Sequence, residues 1–569
     1  MARTLQSQLR DQLERRPEIN AVGWYDSGGE CSWRTRAELL AYTATAAQRL
    51  SAAGLRPGDA CVVVLPSEEN AALAFLGALF LGARPLLVAP PTLQRFNADL
   101  VRVLLHSIRR TKARVVVHGD SLADVADEVR RRATQARFVV ADELRGDGDA
   151  RMPALPDADD GDVAALQLTS GTTGLPRIGM WSHRGVLAAL DGMSAAMRLT
   201  ESDVCFNWTP LYHDMGLVNN FLLCLAKGVP LVMQKPQEFV KRPASWLRGL
   251  AETGATLTWA PNFGFALATE RIRDDEIDGV RLDRVRAFWN AAERVHLETI
   301  EEFSARFASF GVRREAMKTN FGCVENVGGA TFSDVDGSFP VEHVDVRALQ
   351  AKRVAQPTAA GAATEVVIGV GRANPGMEIV ILSRDGRALD DGHVGEIALR
   401  TPSRMLGYLG DSKATRRALF GELLRTGDLG YLRGGELFWV GRARERITVR
   451  GKKIDPSEFE PVLFAISGLR AGCFAAFGVD DQEQGTERIV VVAEVREPLT
   501  RDAKAICTEI REQAFRKLDV GVSEVVLVAA GTLTKTSSGK RRHRHFRRLY
   551  LERKLAPLAS GPAPDRVAV

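Results

Sequence analysis

LQLTSGTTGLPRIGMWSH, residues 166–183, is the stretch from which the rest of the chain can be read. An apolar run reaches Leu168. Thr169, Ser170, Gly171, Thr172, Thr173 and Gly174 follow, every one of them glycine or hydroxyl-bearing. Glycines let backbone N–H groups approach anionic oxygens, and hydroxyls add donors that turn to follow them, so the loop suits a triphosphate. No Gly-Lys-Ser/Thr closes it, which separates it from the usual P-loop. A Gly/Ser run is often only a surface turn; the unbroken order, with Pro176 and basic Arg177 behind it, favours phosphate.

On both sides of this loop the chain alternates. Residues 37–88 give a helical stretch (LLAYTATAAQRLSAAG), a strand (CVVVLP), a second helical stretch and a short strand (PLLV), and the rhythm returns at 113–117, 138–140, 228–233 and 256–259. Strands separated by helical runs predict parallel pairing with crossover helices. Between Asp334 and Gly371 the rhythm is lost in a Val, Ala, Thr and Gly-rich run that reads as an inserted or irregular segment, placed at about 334–363. From Met377 a β-rich region runs through MEIVILS, VGEIALR and GELFWV, with Arg384-Asp385-Gly386 as a turn signal. After Val440, GRARERITVRGKKI is charged and Gly-punctuated, and a shorter α/β pattern follows. The expected fold is therefore α/β: a large multi-layer N-terminal domain (1–442) with parallel and mixed sheets and a β-rich subdomain, joined by a hinge to a small α+β C-terminal domain (443–569). The closing LASGPAPDRVAV reads as disordered.

A chain of 569 residues exceeds one compact core and has room for a deep cleft. Hydrophobic content of 45%, charged content of 26% and a net charge of +5 indicate a folded, soluble chain and single out no partner. The 7 cysteines are scattered and odd in number, with no Cys-x-x-Cys pair, which argues against a disulfide framework or a zinc site and for a reducing, cytoplasmic setting. The opening MARTLQSQLRDQLERRPEIN reads as a polar amphipathic helix without the apolar core of a secretory signal. The most apolar stretch, 71–83, is broken by Arg84 and Pro85 before it reaches the roughly 20 residues a membrane span needs.

Five further segments accompany the loop: PLYHDMGL (210–217), FGCVE (321–325), RTGDLG (425–430), GRARERITVRGKKIDPSEFE (441–460) and KTSSGK (535–540). Together with TSGTTGLPR, and in the same order, they resemble the motifs of the adenylate-forming superfamily of acyl-CoA synthetases, firefly-type luciferases and peptide-synthetase adenylation domains. The resemblance implies ATP and Mg²⁺ as cofactors. It also implies the site. Glu325 falls where the family holds the metal, Asp428 where a carboxylate receives the ribose hydroxyls, and Arg442 beside the hinge within reach of the nucleotide. Asn320, Phe321, Gly322 and the run Asn290-Ala291-Ala292-Glu293 border the adenine, and Lys540 matches the lysine that bridges the attacking carboxylate and the α-phosphate. Glu445 marks the expected hinge. Arg177 stands where relatives commonly have Lys, keeping the charge but not the point geometry, and Phe321 replaces the usual Tyr.

HDMGL, WAPNFGFAL (259–267), WNAAERV and the long stretch before IGVGR look most like fatty acyl-AMP ligases, in which an inserted segment hinders use of CoA and the acceptor is the phosphopantetheine arm of an acyl carrier protein. His213 and Asp214 occupy the region where peptide-synthetase domains normally offer Asp to an amine, so a fatty or other apolar carboxylic acid is favoured over an amino acid. His213 is a catalytic candidate; Met215, Phe221, Phe263 and Phe265 are candidates for the acyl pocket, though each also suits a core. Basic clusters at Arg130, Arg131 and Arg132 and at 541–548 would steer an acidic carrier protein, or simply be solvated. An acyl-CoA ligase is the alternative reading. A non-catalytic nucleotide- or nucleic-acid-binding protein is a third, disfavoured by the intact loop and Lys540.

Overall fold

The computed structural model describes all residues except 1–2, 66–67, 91–96, 145, 147–149, 170–174, 362–363, 443–446, 450–451, 482–485, 500, 519, 536–540 and 563–569. Within the described residues the alternation becomes two large sheets. One has seven strands, in the order Gly407–Tyr408, Ile178–Ser182, Val163–Leu168, Arg84–Leu87, Ala60–Val64, Val115–His118 and Arg137–Val140. The other has nine and places Met317–Cys323 beside Ala287–Ala291 and Leu257–Pro261. Their centres are parallel, as expected, and antiparallel pairs sit toward the edges.

Side-chain alternation along the strands explains the layers. In Ala60–Val64, Cys61 and Val63 enter the largest core, which also takes residues from the nine-stranded sheet, while Ala60, Val62 and Val64 enter a second core with helices Asn97–Thr111 and Ala123–Arg132. Helix His183–Ala196 contacts strands of both sheets and so lies between them. The far face of the nine-stranded sheet carries Phe206, Ala260 and Phe288 against helices Ala244–Glu252, Asn262–Arg271 and Leu297–Arg306. The β-rich region forms a sheet around Gly395–Arg400, Leu423–Arg433 and Glu436–Arg442. C-terminal to it, a four-stranded sheet has a core on each face, one with helix Ala503–Leu518 and one with helix His543–Leu551. A large N-terminal and a smaller C-terminal domain result.

Local signals set many boundaries. Helix Arg36–Ala52 begins at Thr35, whose side chain and Glu38 form a reciprocal capping box. Gly228, expected to open a strand, instead ends the helix Leu223–Lys227 in the left-handed conformation (φ +68°), and the strand starts at Leu231.

Two stretches carry more structure than expected. Within 334–371, read as inserted or irregular, Val341–Asp345 pairs antiparallel with Thr364–Ile368, and Val344, Leu349 and Val367 pack on Leu429, Tyr431 and Phe438 of the β-rich sheet. The ribbon escapes sequence reading because Val341–Asp345 is half-buried along most of its length and shows no polar–apolar alternation. Of the tail read as disordered, the described residues belong to an edge strand, Pro557–Pro562, paired with Val522–Val528, and 563–569 lie outside the described residues. Prolines at its two ends are compatible with an edge strand, which leaves one side unpaired.

Candidate active site

The loop opens between two antiparallel strands. Leu168 pairs with Ile178, the Thr169 N–H donates to Arg177 O (2.8 Å), and the Arg177 N–H donates to Thr169 Oγ1 (3.2 Å), so these two residues form its neck. His106 Nε2–H donates to Pro176 O (3.1 Å). Ser170, Gly171, Thr172, Thr173 and Gly174 lie outside the described residues, as do Glu445 and Lys540.

The second strand of this hairpin supports the metal candidate. The Trp181 indole N–H donates to Val324 O (2.8 Å), fixing the single turn Val324–Asn326 that follows the strand Met317–Cys323 and carries Glu325. Tyr408 OH donates to Glu325 Oε1 (2.5 Å), and the Met405 N–H donates to Glu325 O (2.8 Å). The Arg177 guanidinium lies 5.4 Å from the Tyr408 ring centroid and pairs with Asp411 (3.4 Å). One cationic side chain thus links loop neck, tyrosine ring and carboxylate.

Asp428, 5% exposed, faces Arg442 across the sheet. Its Oδ1 accepts from Arg442 Nε (3.2 Å) and Trp439 Nε1 (3.3 Å). Cys323 marks where separate segments meet: burial pushes its thiol up, and Glu325, Asp428 and Asp214 push it further. Against a lowering hydrogen bond with Asn326, the charges of three carboxylates from distant stretches are thus felt at one thiol. Gly322 beside it must be glycine, because a Cβ would lie 2.5 Å from Gly328 O on the neighbouring strand.

Asn290 and Asn320 are buried, and each has a side-chain oxygen without a hydrogen-bond partner within the described residues. Such acceptors call for a donor. Ala292, just past the strand Ala287–Ala291, holds a left-handed backbone (φ +70°), and Phe321 is 9% exposed. Glu293 Oε1 accepts from the Phe263 N–H (2.6 Å), which joins the 290–293 run to helix Asn262–Arg271.

His213 caps the short turn Asp214–Gly216, with Nδ1 2.9 Å from Asp214 Oδ1. This segment reaches the sheet through Asn219, whose Oδ1 accepts from the Gly329 N–H (3.2 Å). Met215 is 5% exposed and Phe263 half-buried, whereas Phe221 and Phe265 have no exposed surface. Phe265 packs on Trp246 and Phe303 in the outer core (centroids 5.5 and 5.0 Å), so the core reading fits these two.

The C-terminal domain reaches the same place. Lys535, first residue of KTSSGK, puts its ammonium 5.8 Å from the Phe263 ring centroid. Glu460 accepts from His296 Nε2–H (3.1 Å) and from Arg541. Sequence reasoning misses Tyr408, Trp181 and His296 as supports: Tyr408 sits on a two-residue strand, and Trp181, though within the 166–183 stretch, reads there only as an apolar strand residue.

Residues 9–409 match the family model described as AMP-binding enzyme, and the chain belongs to that family. Similar curated relatives include JamA of Moorena producens, named a medium-chain-fatty-acid–acyl-carrier-protein ligase, 28% identical over 515 residues, covering 87% of this chain and 86% of that one. FadD26 of Mycobacterium bovis, named a long-chain-fatty-acid–AMP ligase, is 28% identical over 566 residues, 95% of each chain. A solved structure from a study of fatty acyl-adenylate ligases of E. coli and L. pneumophila matches with TM-score 0.89 at 24% identity, over 97% of this chain and 98% of that one, and shares the fold. No helix among the described residues is long and apolar enough to cross a membrane.

Proposed function

We propose that this chain joins a fatty or other apolar carboxylic acid to AMP and then passes the acyl group to the phosphopantetheine thiol of an acyl carrier protein. In the first step a carboxylate oxygen bonds to the α-phosphorus of ATP and pyrophosphate leaves. In the second the thiol sulfur bonds to the acyl carbon, AMP leaves, and the thiol proton goes to solvent or a base. The relatives' names support the acid and the acceptor. The observation that carries the chemistry is the link from the neck formed by Thr169 and Arg177, through the Tyr408 ring beneath the Arg177 guanidinium, to the Glu325 carboxylate.

Mg²⁺ suits the donor set. Among the described residues no three His, Cys, Asp or Glu cluster as a protein-only metal cage, and Glu325 offers one hard carboxylate, matching an ion that takes one or two carboxylates, nucleotide phosphates and waters. Bound there, it would offset phosphate charge. The protein's own residues do the rest. Tyr408 orients Glu325; Arg177 and the 169–174 loop receive the phosphates; Asp428, steadied by Trp439 and Arg442, accepts from the ribose hydroxyls. Asn320, Ala292, Phe321 and Gly322 border the base. Lys540 bridges carboxylate and α-phosphate as a compact cation on a long stem. His213, Met215 and Phe263 border the acid, and the hinge between the large and small domains falls in 442–446, with Glu445 as its turning point.

Incubation with ATP, Mg²⁺ and a panel of fatty acids, followed by CoA or holo carrier protein offered separately, tests this. Pyrophosphate release that depends on the acid, with acyl transferred to the carrier protein, is the expected result. Acyl-CoA as the main product would replace the acceptor, and no acid-dependent pyrophosphate would remove the whole reading.

A further inference from the structure

Glu460 is a carboxylate of the small domain that is held from both domains. Its Oε2 accepts from His296 Nε2–H (3.1 Å), its Oε1 from Arg541, and the three side chains are only 11–15% exposed. His296 belongs to the large domain, in the loop just after the 290–293 run. Its backbone N–H donates to Asn262 Oδ1 (3.2 Å), which also accepts from Asn290 Nδ2 (3.0 Å), so the ring is presented from a fixed base. Arg541, the residue after Lys540, has its guanidinium 4.5 Å from the Phe474 ring centroid.

We propose that His296, Glu460 and Arg541 form an interdomain clasp that positions the Lys540 segment for acyl-AMP formation and opens for acyl transfer. The inference rests on the two-step reading above and adds positioning residues to it. Glu460 and Arg541 travel together on the small domain, while His296 stays behind; rotation at the hinge therefore breaks one bond of the clasp and spares the other. Burial raises the Glu460 carboxyl, but Arg541 and His296 outweigh it and bring it down to about 2, so the acceptor is ionised and the bonds to it are charge-assisted. On the large-domain side Glu293 accepts from the Phe263 N–H (2.6 Å), and the Lys535 ammonium lies 5.8 Å from the ring of that same Phe263. The two cations that bracket 536–540 thus each have a partner at the junction, Lys535 the Phe263 ring and Arg541 the Glu460 carboxylate.

His296→Ala is the decisive variant, since it removes only the bond between domains. Acyl-AMP formation is expected to fall about 10- to 100-fold, the scale of a misplaced catalytic group, while transfer from added acyl-AMP changes less than about twofold. His296→Gln, which keeps an N–H donor, recovers most of the loss, and Glu460→Gln shows the same split. Spin labels on helices Ala123–Arg132 and Ala503–Leu518 report the domain separation in the nucleotide-free protein, where His296→Ala shifts the distance distribution. Equal loss in both half-reactions, wild-type adenylation by His296→Ala, or an unchanged distribution overturns the clasp. The distance measurement needs no acid, so a wild-type chain that forms no acyl-AMP would sink the functional reading and leave the clasp to be judged separately.

Discussion

Tyr408 and Glu325 share a 2.5 Å hydrogen bond across 83 residues of sequence. Burial and the Glu325 charge push the Tyr408 phenol well above its ordinary range, so it stays a donor. The bond occupies Oε1 and fixes the direction of Oε2. In Tyr408→Phe the ring under Arg177 remains and only the hydroxyl is lost. A hydrogen bond to a charged group contributes roughly 1.5–3 kcal/mol, so the rate of acyl-AMP formation should fall about 10- to 100-fold, and the Mg²⁺ concentration for half-maximal rate should rise. Pyrophosphate release titrated with Mg²⁺ checks both; an unchanged Mg²⁺ dependence would separate Glu325 from the metal.

Phe263 and Phe265 lie two residues apart on one helix and should respond differently. Phe265 is fully buried against Trp246 and Phe303, and truncating such a residue costs about 3–5 kcal/mol. Phe265→Ala is expected to lower the melting midpoint strongly. Phe263, half-buried under Lys535, should tolerate Ala in the melt while the KM for the acid and the preferred chain length move. Matching stability losses in the two variants would remove Phe263 from the pocket.

Lys540 and Glu445 are predicted from their motifs. Lys540→Ala should abolish acyl-AMP formation with ATP still bound, because the cation acts on charge that develops during the attack. Glu445→Pro should slow acyl transfer more than adenylation, since a proline restricts the backbone rotation a hinge needs. Separate assays of the half-reactions, with nucleotide affinity by calorimetry, decide each; near-normal adenylate formation by Lys540→Ala would exclude its role.

The layered α/β architecture was legible because fully buried strands such as Ala60–Val64 are continuous apolar runs spaced by helices. The candidate nucleotide residues are named from the sequence because glycine turns and lone carboxylates fall in short, ordered motifs. Their supports are not. Tyr408 meets Glu325 and Trp181 meets Val324 only once the sheet of Gly407–Tyr408 and Ile178–Ser182 has formed, and His296 meets Glu460 only across the domain junction. Long-range pairs of this kind leave no period or spacing in one sequence. The edge strand Pro557–Pro562 was hidden for another reason: its composition suits an exposed tail and an edge strand equally.

Glu68 gives the last prediction, a dependence of stability on pH. This buried carboxyl accepts from the Leu211 N–H (3.2 Å), beside the segment that carries His213. Burial raises it to about 7, against the lowering influence of the Leu211 N–H and Lys235. The folded chain therefore favours the protonated form, and the stability linked to it is fully present below the unfolded value near 4.5 and is lost as pH rises through 7. A displacement of this size corresponds to roughly 3 kcal/mol at most. Glu68→Gln keeps an oxygen for Leu211 and cannot ionise. Its melting midpoint relative to wild type should differ little near about pH 5 and become higher by about pH 8. An offset that stays constant across that interval would show that Glu68 does not titrate between the two states.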